Sequence, residues 1–177
     1  MKNIILIGFM GAGKTTIGQA LAKYYDIAFI DTDDYIAEKE DRTIAEIFQS
    51  DGEAYFRRLE TQCLTELADS KEPMIIATGG GMPLQKENNI LFKQIGMVIF
   101  LDYKFKTIWK RIRGSKTRPL VKKGREAIFQ LFLERRSTYS KIADEIVDGE
   151  ELQYDEIIQY IVKINEGREE YHENRRN

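Results

Sequence analysis

At 177 residues, 42% hydrophobic and 32% charged, the chain has the length and composition of one soluble globular domain with a sizeable core. Its net charge of −2 gives no global attraction for nucleic acid or an anionic membrane. The single cysteine, Cys63, excludes an intrachain disulfide, and no apolar run reaches the ~18 residues that span a bilayer.

The sequence enters an apolar run at once, with no signal-peptide layout, so a cytoplasmic location is expected. Ile4 to Ile7 reads as a central parallel strand covered on both faces. Gly8-Phe9-Met10-Gly11-Ala12-Gly13-Lys14-Thr15 follows and fits Gly, four residues, Gly-Lys-Thr. A helical pattern from Thr16 to Tyr24 comes next, so the loop stands between strand and helix as a phosphate cradle must. A chance glycine loop would lack that context. Glycines let the backbone curl close to a phosphate. The N–H groups of Gly11, Ala12, Gly13, Lys14, Thr15 and Thr16 are the expected nest, aided by the helix dipole. Lys14 would reach the β- and γ-phosphates, and the Thr15 hydroxyl would ligate Mg²⁺.

Ile27 to Ile30 is a second short strand, ending at Asp31-Thr32-Asp33. Either carboxylate alone could be a helix cap, with Asp33 preceding a helical stretch through Glu38. Two together at a strand end in a P-loop protein point to ligand or metal chemistry. Thr43 to Ser50 is a short helix with Thr43 and Glu46 spaced as a capping box. After the Asp51-Gly52 break, Glu53 to Ala68 is a longer helix, with Cys63 on it as a small hydrophobe. Arg57 and Arg58 lie near its start, where cations oppose the helix dipole. Glu53 and Glu60 are within reach of them, so one arginine is expected to be structural and the other free for a ligand carboxylate, against a bland solvated face.

Met74 to Ala77 is a third strand that runs into Thr78-Gly79-Gly80-Gly81. Three glycines at a strand end allow close approach of a ligand, although a flexible turn has the same composition. Lys86 to Gln94 is a weak helix, Met97 to Leu101 a fourth strand closed by Asp102, and Phe105 to Arg113 a helix. Trp109 on that helix reads as packing rather than a stacking platform. Arg111, Arg113, Lys116, Arg118, Lys122, Lys123 and Arg125 then crowd into fifteen residues with two glycines. That is the composition of a mobile cover over phosphates at about 113–124, or of a solvated loop. No interleaved aromatics support a nucleic-acid patch. Ala127 to Ala143 is a long helix, Ile146-Val147 a short edge strand, and Tyr154 to Ile164 a last amphipathic helix. Residues 1–165 read as one domain, and the polar tail 166–177, with the only histidine, His172, is expected to be disordered.

Taken together, Gly8 to Thr15, Asp31-Thr32-Asp33, Phe56-Arg57-Arg58 to Glu60, Thr78 to Gly81, Thr117-Arg118-Pro119-Leu120 and Glu134-Arg135 before Tyr139 resemble the shikimate kinases, over about residues 3–165. The resemblance implies a three-layer α/β P-loop kinase fold with a five-stranded parallel sheet, like the nucleoside-monophosphate kinases. It implies ATP-dependent phosphorylation of the 3-hydroxyl of shikimate, with Mg²⁺ as cofactor, in chorismate biosynthesis. On the same footing, Lys14 resembles the phosphate lysine, Thr15 and Asp31 the metal-holding pair, and Asp33 the acid at the reacting hydroxyl. Arg57 and Arg135 resemble the grips on the shikimate carboxylate, and Gly79, Gly80 and Gly81 the run lining that substrate. Arg118 resembles the lid arginine and Arg111 the arginine stacked on adenine. Ser137-Thr138 departs from the proline and leucine common before the tyrosine, which leaves Arg136 as a competitor to Arg135. ATP and shikimate are the expected partners of a monomer, with no nucleic acid or membrane. A gluconate or nucleotide kinase is the nearest other reading, and a non-catalytic nucleotide switch the one from another class.

Overall fold

Ile4, Ile5, Leu6 and Ile7 have no exposed surface, and they form the middle of the sheet. The computed structural model describes residues 3–115 and 119–173. Its strands are β1 (Asn3–Ile7), β2 (Ala28–Asp31), β3 (Met74–Ala77), β4 (Gly96–Asp102) and β5 (Glu145–Asp148). They lie in the order β2-β3-β1-β4-β5, and all neighbours pair in parallel. Ile5 stands opposite Ile76 on one side and Val98 on the other. Successive residues of a strand point to opposite faces, so unbroken burial along β1, β3 and β4 requires helices on both sides. The result is the three-layer, five-stranded arrangement that the apolar runs and the resemblance imply.

The helices are α1 (Lys14–Tyr25), α2 (Thr32–Glu40), α3 (Ile44–Ser50), α4 (Gly52–Ala68), α5 (Lys86–Ile95), α6 (Phe105–Ile112), α7 (Arg125–Ile142) and α8 (Tyr154–Glu173). Two 3₁₀ turns, Met82–Leu84 and Pro119–Lys123, lie among them. The capping box forms: Thr43 Oγ1 accepts from the Glu46 N–H at 3.2 Å, and the Glu46 carboxylate accepts from the Thr43 N–H at 2.8 Å. Trp109 stacks on Phe105 at the α6–α7 contact, as a packing residue. Cys63 is buried in α4, and that burial pushes its thiol up to about 12, which leaves it unreactive. Asn165, buried in α8, donates to the Tyr25 hydroxyl of α1 at 3.3 Å and ties the last helix to the first.

One boundary differs widely from expectation. α8 runs to Glu173, well beyond the 154–164 marked by apolar spacing and into the polar tail expected to be disordered. Past Asn165 its sequence is rich in glutamate and arginine, good helix formers that carry no periodic apolar signal.

The chain visits β2 and β3 on one side of β1 before crossing to β4 and β5 on the other. Loops leaving β1 and β3 therefore meet at the carboxyl ends of the strands where the order reverses, which is where open α/β sheets bind ligands. Among the described residues no helix is long and apolar enough to cross a membrane.

Candidate active site

A cleft of about 1110 Å³ opens at that crossing. Its floor is the loop from Met10 to Thr16. Gly11 and Gly13 hold φ values of 83° and 90°, which a side chain would strain. A methyl group on Gly11 would also strike Ile112, because the loop leans directly on α6. Lys14 Nζ donates to the carbonyls of Gly8 at 2.9 Å and Phe9 at 3.3 Å, so its ammonium lies over the loop. One wall comes from Arg111, whose Nη1 donates to Gly11 O at 3.0 Å and whose guanidinium lies 4.2 Å from the Tyr103 ring centroid. Gly149, in the β5–α8 turn, packs against the same Tyr103 ring, and Gln153 and Tyr154 also line the cleft.

The opposite wall is acidic. Thr15 Oγ1 donates to Asp31 Oδ2 at 2.9 Å, and Asp31 Oδ1 accepts from the Asp33 N–H at 3.1 Å. Asp31 is thus the N-cap of α2. The capping role considered for Asp33 falls to Asp31, because β2 extends one residue further than its apolar run. Asp33 is left free of that duty. Its Oδ1 is buried with no hydrogen-bond partner among the described residues. Burial, then the Asp31 charge, pushes its carboxyl up to about 6, against the pull of Lys14 and Arg57.

The three glycines after β3 have a different reason from the one their composition suggests. Each is the close neighbour of at least one charged side chain. A methyl group on Gly79 would strike Asp33 Oδ1, and one on Gly81 would strike the Arg57 guanidinium. One on Gly80 would stand 3.1 Å from Arg135 Nη1 and 3.6 Å from the Tyr139 hydroxyl. Asp33, Arg57 and Arg135 come from three different helices and converge on this run. Gly79 is itself held by its N–H, which donates to the buried Thr32 hydroxyl at 2.9 Å. Gly79, Gly80 and Asp33 line the cleft, and Gly81, Arg57 and Arg135 adjoin that stretch without being part of its lining.

Arg57 is the ion-paired member of the Arg57–Arg58 pair, yet it is also the one nearest the glycines. It donates to Glu60 Oε2 at 2.7 Å and to Glu53 Oε1 at 2.8 and 3.2 Å. Arg58 is exposed, its guanidinium 5.4 Å from the Tyr55 ring centroid. Glu60 is fully buried, and burial pushes it up to about 7 although Arg57 pulls it down. It was legible only as a possible arginine partner, three residues on from Arg57. Its Oε1 has no partner among the described residues and lies beside Gly79.

Arg135 and Arg136 separate cleanly. Arg136 is half-exposed and forks onto Asp102 at the end of β4. Arg135 is 8% exposed, with its guanidinium 5.9 Å from the ring centroid of Phe9 in the phosphate loop. Its Nε is buried without a hydrogen-bond partner among the described residues. Tyr139, one turn on, donates to Gly80 O at 2.5 Å. Buried polar atoms are almost always paired. Here three that are not, Asp33 Oδ1, Glu60 Oε1 and Arg135 Nε, gather around Gly79 and Gly80. Two acceptors and one cationic donor around one point suit a ligand with hydroxyls and a negative charge.

The Thr15–Asp31 pair fits a hard divalent cation delivered with a nucleotide. Such an ion needs only one or two protein oxygens, the rest coming from phosphates and water. Among the described residues no group of three or more His, Cys, Asp or Glu could hold a metal unaided. Arg118 lies outside the described residues.

Residues 10–166 match the protein-family profile described as shikimate kinase. The shikimate kinase of Dictyoglomus turgidum is 36% identical over 165 residues, 92% of this chain and 96% of that protein. That of Aquifex aeolicus is 41% identical over 164 residues, 93% and 96% of the two chains. Among solved structures, shikimate kinase from Acinetobacter baumannii in complex with shikimate superposes with a TM-score of 0.87 at 33% identity, covering 95% of this chain and 94% of that one.

Proposed function

The chain belongs to the shikimate kinase family, and from that premise we propose that it transfers the γ-phosphoryl group of ATP to the 3-hydroxyl of shikimate. The observation that carries the acceptor half is the convergence of Asp33, Arg57 and Arg135 on three successive glycines beside the phosphate loop. In the similar structure from A. baumannii the bound ligand is shikimate, a small carboxylated polyol.

Phosphoryl transfer asks a protein for alignment and charge neutralisation more than for covalent chemistry. The loop N–H groups cradle the phosphates. Lys14 exchanges its two carbonyl partners for phosphate oxygens and holds the migrating group. Thr15 and Asp31 would hold a Mg²⁺ ion, which when bound spreads the phosphate charge. Arg111, with Tyr103 behind it, supports the base. By resemblance alone, Arg118 closes over the phosphates and excludes water. Asp33 orients the acceptor hydroxyl and takes its proton on a carboxylate oxygen. Arg57 and Arg135 grip the acceptor's carboxylate as planar forks, a task for which lysine is a poorer match.

The glycine run gives a sharp check. Alanine at Gly79 or Gly81 should lower kcat/KM for shikimate by about 10²-fold, since sub-ångström misplacement of a positioning group costs that much. KM for ATP should stay within about twofold. Steady-state kinetics on both variants, with circular dichroism to confirm folding, measures it. Tolerance of both alanines would contradict the proposed role of the run. The function itself is tested by coupled ADP-release assays offering shikimate, gluconate and nucleoside monophosphates. Turnover is expected with shikimate alone. Preference for gluconate or a nucleotide in Mg²⁺-supplied, folded protein would overturn the reading.

A further inference from the structure

α7 carries Arg135, for which no ion pair is found among the described residues, and its neighbour Arg136 makes a contact on the helix's other side. Arg136 Nε donates to Asp102 Oδ1 at 2.8 Å and Oδ2 at 3.1 Å, and its Nη2 donates to Oδ2 at 2.6 Å. Two guanidinium nitrogens on one carboxylate make a planar fork that fixes direction as well as distance. The Asp102 side chain is only 15% exposed and ends β4, a strand paired on both edges, so the acceptor of this fork is rigid.

Successive helix residues are about 100° apart. Fixing Arg136 outward over Asp102 therefore fixes Arg135 toward the strand ends. The inward stripe of α7 is Ile128, Phe132, Arg135 and Tyr139, all buried. Two members of that stripe are apolar and hold themselves in. Arg135 is a buried cation whose Nε has no partner among the described residues, and solvent would attract it. Rolling α7 to release Arg135 would break the Arg136 fork and the Tyr139 bond to Gly80 O together. Asp102 has a second link. Its backbone carbonyl accepts from Gly149 N–H at 2.8 Å, in the turn that walls the nucleotide side of the cleft. One residue thus joins the helix behind the acceptor to the turn beside the donor. The Asp102 side chain does not itself line the cleft.

We propose that Asp102 and Arg136 are a positioning pair that sets the rotation of α7 and so aims Arg135 at the carboxylate of the acceptor. This rests on the reading of the site given above. Neither residue touches substrate. Their loss acts through Arg135, on acceptor binding more than on the nucleotide.

Kinetics on Asp102→Asn and Arg136→Gln test it. KM for shikimate should rise about 5- to 20-fold, with KM for ATP and kcat within about twofold, as for a group that orients one ligand contact. In an Arg135→Ala background, Arg136→Gln should add nothing further to KM for shikimate. An unchanged KM in the single variants, or the same multiplicative rise without Arg135, would overturn the pairing. Arg136→Lys, which keeps charge and helix propensity, serves if Arg136→Gln folds poorly, and should restore KM only in part. A crystal structure of ligand-free Arg136→Gln gives a reading independent of the acceptor. Displacement of the Arg135 guanidinium from Gly80 is expected, and an unmoved Arg135 would overturn the proposal. Failure of the wild-type protein to phosphorylate shikimate would instead bring down the proposed function and leave that structural result to judge the pair.

Discussion

Asp33→Asn should lower kcat by about 10²–10⁴-fold, the range for loss of a positioned acid or base, and yet make the protein more stable at pH 8. The carboxyl is raised from 3.8 to about 6 by burial and by Asp31. Between those values the folded protein holds the proton that the unfolded chain has released. Stability from this group is therefore full below about pH 4 and is lost as pH rises through about 6. Above that, a charged carboxylate stays buried with one oxygen unpaired. The displacement corresponds to about 3 kcal/mol at 1.36 kcal/mol per pH unit. Asparagine removes the charge and avoids that cost, so the melting temperature at pH 8 should rise by about 6–12 °C. At pH 4 the two proteins should melt nearly together. Thermal denaturation at the two pH values, beside activity, measures both effects. Equal melting temperatures at pH 8 would mean that Lys14 and Arg57 already compensate the charge. Near-normal kcat would remove Asp33 from the chemistry.

Arg57→Ala should act twice, and the two effects can be separated. A charge-assisted fork contributes about 1.5–3 kcal/mol to holding a carboxylate. Its loss should raise KM for shikimate by about 10- to 100-fold with KM for ATP little changed. Arg57 is also the partner of the fully buried Glu60. Removing one member of a buried pair strands the other, at a cost of about 3 kcal/mol. Glu60 stands at about 7 even with Arg57 beside it, and without that arginine it moves higher. The destabilisation should therefore be larger at pH 8 than at pH 6, where Glu60 escapes by taking a proton. Adding Glu60→Gln should recover most of the stability and none of the KM. Recovery of KM by the double variant would make Arg57 a structural arginine. Equal weakening of ATP and shikimate would say the same.

Most of the sheet was legible because β1, β3 and β4 are buried on both faces and read as unbroken apolar runs. The phosphate loop was legible because its spacing and its strand–helix setting are both required. What was not legible depends on where elements end or on distant partners. Which of Asp31 and Asp33 caps α2 turns on one residue at the end of β2. The two roles of Arg57 follow from the burial of Glu60, and a glutamate in an amphipathic helix ordinarily reads as solvent-facing. Arg135 was preferred to Arg136 on its spacing from Tyr139, but the partner of Arg136, Asp102, lies 34 residues away along the chain and left no local signal. The glycine run was read as room for a ligand. Its nearest occupants are in fact the protein's own charged groups, Asp33, Arg57 and Arg135.

As proposed, the phosphate loop is the donor half of a two-substrate site whose acceptor is shikimate. Phosphorus NMR of the protein with ATP, Mg²⁺ and shikimate tests it most directly. The γ-phosphorus resonance should disappear and one phosphomonoester should grow, coupled to the proton at carbon 3 of shikimate, with no reaction when shikimate is omitted. Inorganic phosphate as the only product, or a phosphomonoester that forms with gluconate but not with shikimate, would contradict it.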